Sequence, residues 1–392
     1  MNGNTLYWVW LSAALGAAAR VDEILGTFPS PKDIYEADRA TRIVSGVFSG
    51  AQIERLEKTP IKNAQVSMEI CKRNGWKIIT PDDFDYPDLL RHIPDRPLVL
   101  YVDGDISFIN SSVSVGVVGT RKPSGESVEI THRICAGMAA MNAVIVSGGA
   151  LGIDSAAHEG ALRSGGKTIC VMGCGLGCGY LRENEGLRRR ISQSGALVTE
   201  YPPLAGVTRH SFPQRNRIIS GMSMGVLVIE AGEKSGSLIT ARNANEQGRD
   251  VFAIPGSVIS SAYTGVNRLI RDGASVVTCA EDVLYGYWMI YPDRLDINAE
   301  VPEMVSDKSS GVRLKFIGEE EKTVVMKFRK TPPANLDSDA AAVYKLFKDE
   351  PLHADEICAA TGIPLSRILS ALMILEMENL IEVTEGKCYQ LV

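Results

Sequence analysis

The sequence lacks an apolar segment long enough to span a membrane. The apolar run at residues 6–19 covers only 14 residues and is interrupted by Ser12 and Gly16, whereas a spanning helix needs about 20. No basic segment followed by an apolar stretch and a small-residue cleavage site opens the chain. Its eight cysteines belong to a chain of 392 residues, far longer than a secreted disulfide scaffold. These absences predict a cytoplasmic protein with reduced thiols and no membrane contact.

Histidine is also scarce. The five histidines give no basis for a Ser–His–Asp arrangement, and the spacing of Asp154 and His158 is explained better by helix packing and capping than by a metal site. Cys170, Cys174 and Cys178 are spaced by four, but Cys170 falls in a predicted strand and no fourth ligand is near. We therefore predict buried or loop thiols and no metal site.

Neither standard nucleotide-binding motif is present. The run Gly166-Lys167-Thr168 resembles the end of a phosphate-binding loop, but Ala161 stands where the first glycine is needed, and the lysine precedes a strand instead of a helix. Gly173 and Gly175 match the dinucleotide fingerprint, whose third glycine is replaced by Cys178. We therefore predict no cofactor.

The composition is that of a packed globular chain with two to three domains. Hydrophobic residues make up 45% and charged residues 22%. Of the 37 glycines, 26 fall between Gly104 and Gly273 without a Gly-X-Y repeat, so unusual backbone geometry is concentrated there. The net charge of −6 argues at first sight against a strongly basic nucleic-acid binder.

The middle of the chain alternates short apolar runs with helical stretches. The runs cover residues 113–118, 143–146, 168–172, 196–198, 225–229, 251–253 and 275–277. Such runs, each followed by a glycine-rich loop and a helix, are typical of buried parallel strands joined by crossover helices. We predict an α/β fold with a doubly wound, extended Rossmann-like sheet over residues 86–291.

Two smaller domains are predicted on either side of this sheet. Helical spacing and helix-start signals at Ser30 and Ser49 predict a helical domain over residues 1–85. Residues 292–338 are assigned to a linker, with a hairpin between 312–316 and 323–328. Residues 339–392 have the winged-helix pattern of helix, short helix, turn, helix and hairpin, over 340–347, 353–360, 364–379, 381–383 and 388–391.

The negative charge is concentrated in the predicted winged helix. From Leu336 to Val392 the chain has four Lys/Arg and ten Asp/Glu, which accounts for the whole net charge of −6. A helix that reads DNA needs cations around it to neutralise phosphates, but Arg367 is the only Lys or Arg in residues 364–379. We expect this domain to contact protein or to modulate the sheet domain more than to read DNA.

The loops after the predicted strands form the candidate site, since ligands of open α/β sheets bind beyond the carboxyl ends of the strands. These loops offer glycine amides, hydroxyls, arginines and two aromatic rings: Gly119-Thr120-Arg121-Lys122, Ser147-Gly148-Gly149-Ala150, residues 173–184 with Tyr180 and Arg182, residues 209–217 with Phe212, and Ser235-Gly236-Ser237. Amides and arginines suit phosphates, and aromatic rings suit bases.

The stretch from about residue 98 to 284 closely resembles the DNA-processing protein A family, also called DprA or Smf. The matching runs occur in the family's order: 117–122, 147–150, 152–158, 212–219, 235–241, 248–256 and 269–274. The resemblance implies a Rossmann-like domain between a sterile-alpha-motif-like helical domain and a winged helix. It also implies a homodimer, without enzymatic activity, that binds and protects incoming single-stranded DNA and loads RecA recombinase onto it in natural transformation and recombination.

The resemblance places Arg121, Arg182, Phe212 and Arg215 in a DNA pocket. Our hypothesis pairs Arg121, Arg182, Arg215 and Arg217 with phosphates, helped by amides of the glycine loop, and stacks Phe212 on a base. The expected DNA-binding residues are Arg121, Thr120, Ser147, Gly148, Gly149, Arg182, Phe212, Arg215, Asn216, Arg217, Ser235, Gly236 and Ser237. The alternative for Arg215 and Asn216 is that they brace a neighbouring helix.

The third loop departs from the family pattern. Leu181 replaces the usual proline after Tyr180, and Cys174 and Cys178 are unusual there. In the second loop, Leu151 stands where the family has a basic residue. These differences bear on the details of the loops and leave the family resemblance intact.

The main alternative is an enzyme that resembles the phosphoribohydrolases, which release a base from a nucleoside monophosphate. Their catalytic glutamate corresponds to Thr240 here, and a hydroxyl cannot replace a carboxylate in general acid–base work at neutral pH. Glu200 and Glu230 remain at predicted strand ends, so the alternative stays open. We expect no catalytic residues.

Overall fold

The computed structural model describes residues 3–16, 21–180, 182–299, 304–305, 313–314, 337–347, 352–377, 380–384 and 388–391. They divide into two compact units, Met1–Ile317 and Gly318–Val392, which are described separately. Within these ranges no single helix is both long and apolar enough to cross a bilayer. The bent pair Ala354–Thr361 and Leu365–Glu376 meets that criterion only when both helices are counted together.

The first unit consists of helices around one large sheet and a short strand pair. Its helices are α1 Thr5–Leu15, α2 Val21–Thr27, α3 Pro31–Glu36, α4 Arg39–Val44, α5 Gly50–Lys58, α6 Ile61–Asn74, α7 Asp88–Arg91, α8 Gly125–Ala140, α9 Ile153–Arg163, α10 Glu185–Ser194, α11 Ser211–Gly221, α12 Ser237–Glu246, α13 Thr264–Arg271 and α14 Ala280–Ile290. Its strands are β1 Lys77–Ile79, β2 Leu100–Gly104, β3 Ser114–Val118, β4 Val144–Ser147, β5 Thr168–Val171, β6 Ala196–Thr199, β7 Gly225–Val228, β8 Asp250–Ala253, β9 Ser275–Val276, β10 Met304–Val305 and β11 Arg313–Leu314.

The large sheet has the order β1-β2-β6-β5-β4-β3-β7-β8-β9. Strands β3 to β9 pair in parallel, which confirms the predicted doubly wound sheet. Strands β1 and β2 were not predicted, and they extend the sheet antiparallel beyond β6. Since β1 has only three residues, its apolar pattern was too short to indicate a strand.

Alternate residues of the strands supply two hydrophobic cores, one on each face of the sheet. Val115 and Val117 pack on one face with Ile134 of α8 and Ile153 of α9. Val118, Val146 and Val228 pack on the other face in a core that includes Ile218 of α11. Burial on both faces explains why these strands appear in the sequence as continuous apolar runs.

The amino-terminal helices share a core with the sheet domain. Trp8 and Trp10 of α1 are buried in a cluster that includes Tyr101 of β2. The predicted helix starts are confirmed: Ser30 caps α3 and Ser49 forms a capping box on α5. The boundary at residue 85 stays a prediction, but β1 lies before it and pairs with β2 after it.

The second unit confirms the winged-helix pattern. It contains α15 Ser338–Leu346, β12 Leu352–His353, α16 Ala354–Thr361, α17 Leu365–Met377, β13 Ile381–Thr384 and β14 Cys388–Leu391, with a sheet in the order β12-β14-β13. Gly362 ends α16 in the left-handed conformation at φ 69°. Of the hairpin predicted in the linker, residues 323–328 lie outside the described residues, and β11 pairs with β10.

Candidate nucleic-acid interface

Strands β3 and β7 are parallel, hydrogen-bonded neighbours, and the order in which the chain adds strands to the sheet reverses between them. It runs outward from β3 through β4 and β5 to β6 and returns to β7 on the other side of β3. Such a switch point opens a crevice at the carboxyl ends of the strands. The loops after β3, β4, β5 and β7 converge on this crevice.

Three adjoining cavities lie along this edge. The switch-point cavity, of about 490 Å³, is lined by residues that include Thr120, Arg121, Asp154, Arg209, Phe212, Arg215, Asn216, Ser235, Gly236 and Ser237. The glycine-loop cavity, of about 300 Å³, is lined by residues that include Arg121, Lys122, Gly148, Gly149, Met172, Cys174, Tyr180, Arg188 and Phe212. The outer cavity, of about 370 Å³, is lined by residues that include Tyr180, Arg182, Arg188 and Arg189. Shared residues join the three into one track.

A cation and an aromatic ring, those of Arg121 and Phe212, line both of the first two cavities, and the Tyr180 ring packs beside Phe212. The Arg121 guanidinium lies 5.2 Å from the centre of the Phe212 ring, within the range of a cation–π contact. The Tyr180 ring lies 5.3 Å from that of Phe212, tilted by 47°. Arg121 is exposed while Phe212 and Tyr180 are partly buried. The arrangement can offer a cation to a phosphate and ring faces to a base.

Arg215 lines the switch-point cavity and is hydrogen-bonded to the glycine loop. It is 3% exposed, and its Nη1 donates hydrogen bonds to the carbonyl of Gly148, at 2.5 Å, and to the carbonyl of Val171. Burial lowers the pKa of Arg215, and the nearby carboxylate of Asp154 opposes this. A buried guanidinium still keeps its proton, so Arg215 contributes positive potential while it holds the glycine loop.

The glycines of this loop are required first by the protein's own packing. A Cβ on Gly148 would lie 2.4 Å from an Arg215 nitrogen, and one on Gly149 would lie 2.5 Å from Cys170 Sγ, at a φ of +66°. The sequence interpretation gave a different reason, namely close approach of a ligand. The two reasons are compatible, because both glycines also line the glycine-loop cavity.

Asn216 braces the neighbouring elements, which was the alternative role considered for it. Its side chain accepts a hydrogen bond from Arg215 Nε at 3.2 Å and donates one to the Gly236 carbonyl at 3.4 Å. It also lines the switch-point cavity with Ser235 and Ser237, whose hydroxyls are 2.8 Å apart.

Two of the expected residues are not brought to the cavities. Ser147 is fully buried, and its hydroxyl donates to the Val117 carbonyl at 2.6 Å, since it is still part of β4. Arg217 is 6% exposed and donates to both carboxylate oxygens of Glu200, at 3.0 and 2.7 Å, and its Nε lies 2.9 Å from Asp95. Arg217 faces the opposite side of α11 from the pocket and is committed to buried ion pairs, so both residues leave the set of DNA contacts.

Three cations at the site are absent from the expected set of DNA contacts, although the candidate loops include two of them, Lys122 and Arg209. Lys122 lines the glycine-loop cavity and Arg209 lines the switch-point cavity, and both are exposed. They lie in the same loops as Arg121 and Phe212, so their position after a strand could have placed them among the expected contacts. Arg188 lies on α10 and not in a loop that directly follows a strand, so no sequence signal indicates its place at the site.

The carboxylates at the strand ends serve the protein's own structure. Glu230 is 4% exposed and accepts a hydrogen bond from the Ser124 amide at 3.0 Å, and Glu200 is held by Arg217. Asp154 is the one carboxylate among the described residues that line the switch-point and glycine-loop cavities. Burial raises its pKa, and the charge of Arg215 opposes this.

The two cysteines that line the glycine-loop cavity are ordinary buried thiols. Cys170 and Cys174 are each about 1% exposed, and burial raises the pKa of the Cys170 thiol to about 11. Over the described ranges, no group of three or more His, Cys, Asp or Glu side chains is placed to hold a metal ion.

Comparison with known protein families gives two matches. The family described as DNA recombination-mediator protein A matches residues 77–287, and the DprA winged helix domain matches residues 329–387. The Smf protein of Synechocystis is 36% identical over 332 residues, which cover 82% of each chain. The DNA processing protein DprA of Streptococcus pneumoniae is 42% identical over 224 residues, which cover 57% of this chain and 78% of that one.

Solved structures agree with these matches. The X-ray structure of DprA from Streptococcus pneumoniae superimposes with a TM-score of 0.63 at 33% identity, over 73% of this chain and 98% of that one. A Helicobacter pylori DprA structure, described for its single-stranded DNA binding mode, gives a TM-score of 0.50 at 30% identity, over 55% of this chain and 97% of that one. With its sheet domain and its winged helix both matched, the chain belongs to the DprA/Smf family of DNA recombination-mediator proteins.

Proposed function

We propose that this protein is a non-enzymatic, homodimeric chaperone of single-stranded DNA, which protects incoming strands and loads RecA recombinase onto them in natural transformation and recombination. The observation that carries the DNA part is the Arg121 guanidinium 5.2 Å over the Phe212 ring, at the junction of two cavities on the sheet edge. Membership in a recombination-mediator family supports the hand-over to RecA.

The proposed path of the strand follows the three cavities. Exposed Arg121, Arg209 and Arg182 contact phosphates, while Phe212 and Tyr180 offer their ring faces to bases. Ring faces stack on bases that are free of a duplex, which favours single strands, and each stacked base contributes about 1–3 kcal/mol. Thr120, Ser235 and Ser237 add hydroxyl donors at the switch point, and the amides of Gly148 and Gly149 lie at the glycine loop.

The hydrolase alternative has less support. Base release needs a carboxylate poised beside the sugar, and neither Glu200 nor Glu230 is among the described residues that line the cavities. Asp154 is engaged by Arg215 and by the Ala150 amide, 3.4 Å from its Oδ2. Release of free base from nucleoside monophosphates by the purified protein would revive this alternative.

The test is a salt-dependent gel shift with single- and double-stranded DNA of equal length. We expect tighter binding of the single strand, and a loss of about tenfold to a hundredfold for Arg121→Ala, since a charge-assisted contact contributes about 1.5–3 kcal/mol. Arg133→Ala is the matched control, because Arg133 is exposed on α8 and lines none of the three cavities. Equal affinity for both DNA forms, or equal losses in both variants, would refute the proposal.

RecA loading is tested by a separate measurement of filament assembly. Added to RecA and a strand coated with single-strand-binding protein, the wild type should shorten the lag of filament assembly. Arg121→Ala should lose this effect in proportion to its DNA affinity. A lag unchanged by the wild type would leave DNA binding intact and remove RecA loading from the proposal.

A further inference from the structure

The inner wall of the glycine-loop cavity holds an arginine that the proposed phosphate path does not use. Arg188 belongs to α10 and lines both the glycine-loop and the outer cavities. Its charge reaches two buried thiols: burial raises the pKa of Cys170 and of Cys174, and Arg188 opposes that effect in both. Arg188 is half-buried, and its charge lies close enough to both thiols to affect them.

Arg188 has no internal partner in the part of the chain that is described. Its Nε is buried without a hydrogen-bond partner, and no carboxylate forms an ion pair with its side chain. By contrast, Arg190 on the same helix lies 3.7 Å from Glu159. A buried donor without a partner is costly, so Arg188 is poised for an acceptor that enters the cavity.

The rest of the cavity is suited to a flat, mostly apolar group. Met172, Cys174 and Ala150 contribute to its lining together with the rings of Tyr180 and Phe212. Its volume of about 300 Å³ is at the small end of the range for ligand pockets. A phosphate in such surroundings would lose much of its hydration, and in the proposed path exposed Arg121 already contacts a phosphate.

We propose that the glycine-loop cavity takes one base of the bound strand and that Arg188 makes it selective for guanine. Guanine presents two acceptors side by side, O6 and N7, which match the fork of a guanidinium. Thymine offers one acceptor on that edge, whereas the exocyclic amino groups of adenine and cytosine would face the arginine donor to donor. The proposal rests on the single-stranded DNA binding proposed above and adds base selectivity to it.

The experiment uses the full chain and a set of fluorescent oligothymidylates that differ at one central position. That position carries thymine, guanine, hypoxanthine, 7-deazaguanine, adenine or cytosine. Hypoxanthine keeps O6 and N7, and 7-deazaguanine loses N7. The variants are Arg188→Gln and, as the matched control, Arg190→Gln, which removes the same charge two residues away on α10.

For the wild type we expect the guanine and hypoxanthine strands to bind about tenfold more tightly than the adenine and cytosine strands, since a bidentate contact discriminates by about 1–3 kcal/mol. The 7-deazaguanine strand should lose most of that gain. Arg188→Gln should abolish the preference and leave the affinity for all-thymine DNA within about twofold, while Arg190→Gln should keep the preference.

Three outcomes would overturn the inference. The first is equal affinity of the wild type for all six strands. The second is an equal loss for every strand in Arg188→Gln, which would make Arg188 a phosphate contact. The third is the same guanine preference in Arg188→Gln as in the wild type. If the wild type binds none of the strands, the proposed function itself fails, which is a different result.

Discussion

The edge of the large sheet and helix α17 of the winged helix are both places where proteins of these folds often hold ligands, yet their surfaces differ. At the sheet edge, Arg121 and Arg209 are exposed beside the switch-point cavity, where Asp154 is the one carboxylate among the described lining residues. On α17, Leu365, Leu369 and Met373 are exposed by 45%, 48% and 64% at a spacing of four residues. The first surface is cationic and concave, and the second is an apolar stripe.

Arginine chemistry makes the contrast sharper. Arg367, the cation of α17, is held by Asp339 at 2.6 and 2.7 Å, whereas Arg121 leans on an aromatic ring and keeps its donors available. The comparison teaches that a winged-helix fold does not by itself make a DNA-binding surface. In the proposed function, exposed cations and ring faces mark the nucleic-acid site, and among the described residues we find that combination on the sheet domain.

The largest effect on stability is expected from Arg217 of α11, whose ion pairs are buried and lie away from the proposed DNA contacts. Arg217→Ala should lower the free energy of unfolding by about 3–5 kcal/mol, because it leaves buried Glu200 without its partner. Urea denaturation measures it, with Arg121→Ala as the comparison. The double variant Arg217→Met, Glu200→Leu should recover much of the loss. A stable Arg217→Ala protein with weakened DNA binding would return Arg217 to the site.

Acid should weaken the sheet domain through His158. Burial lowers the pKa of His158 to about 3, and the charge of Arg215 adds to this. Below about pH 6.5 the unfolded chain binds a proton that the folded chain refuses, so stability falls by about 1.4 kcal/mol per pH unit as the pH drops toward 3. Urea midpoints between pH 7 and pH 4 should decline less steeply in His158→Gln.

Two buried carboxyls act in the opposite sense in both proteins, so the difference between the two slopes isolates the histidine. Burial raises the pKa of Asp154 and of Glu200, which favours the folded state as the pH falls. Parallel pH profiles for the wild type and His158→Gln would show that the histidine is not buried in its neutral form.

Removing the ring beneath Arg121 should weaken the binding of single strands alone. Phe212→Ala should cost about 1–3 kcal/mol of affinity for single-stranded DNA, the usual contribution of base stacking. Phe212→Tyr is the matched control and should retain most of the affinity. Fluorescence anisotropy with labelled oligonucleotides measures both. An unchanged affinity in Phe212→Ala would mean that bases do not reach this ring.

The smallest effect is expected on the winged helix. Arg367→Ala removes an ion pair between exposed Arg367 and partly buried Asp339, and a pair open to solvent on one side contributes about 0.2–1 kcal/mol to stability. It should leave the affinity for single- and double-stranded DNA unchanged within about twofold in gel shifts. A loss of double-stranded DNA binding would overturn the comparison, because α17 would then act as a DNA-reading helix despite its charge.

The parallel sheet could be predicted because its strands are buried on both faces. Runs such as 113–118 and 225–229 are continuous and apolar, and the observed β3 and β7 differ from them by one residue at an end. The antiparallel extension escaped prediction for a physical reason. Strand β1 lies at the edge with only three residues, one exposed and one half-buried, and such a segment carries no periodic signal.

The site could be predicted only to the level of its loops. Position after a strand indicates which edge a residue is on, but not which way its side chain points. Arg215 and Arg217 are two residues apart on α11, so they lie on different faces, and they have different environments. Arg188 reaches the cavity from a helix, and only tertiary packing brings it there.

The most direct test of the contrast between the two regions is the salt dependence of single-stranded DNA affinity for the wild type, Arg121→Ala and Arg367→Ala. Each phosphate contact on a single strand contributes about 0.7 to the slope of log K against log salt concentration. We predict that the slope becomes shallower by about 0.7 in Arg121→Ala and stays unchanged in Arg367→Ala. An unchanged slope in Arg121→Ala together with a shallower slope in Arg367→Ala would contradict the assignment of the DNA site to the sheet edge.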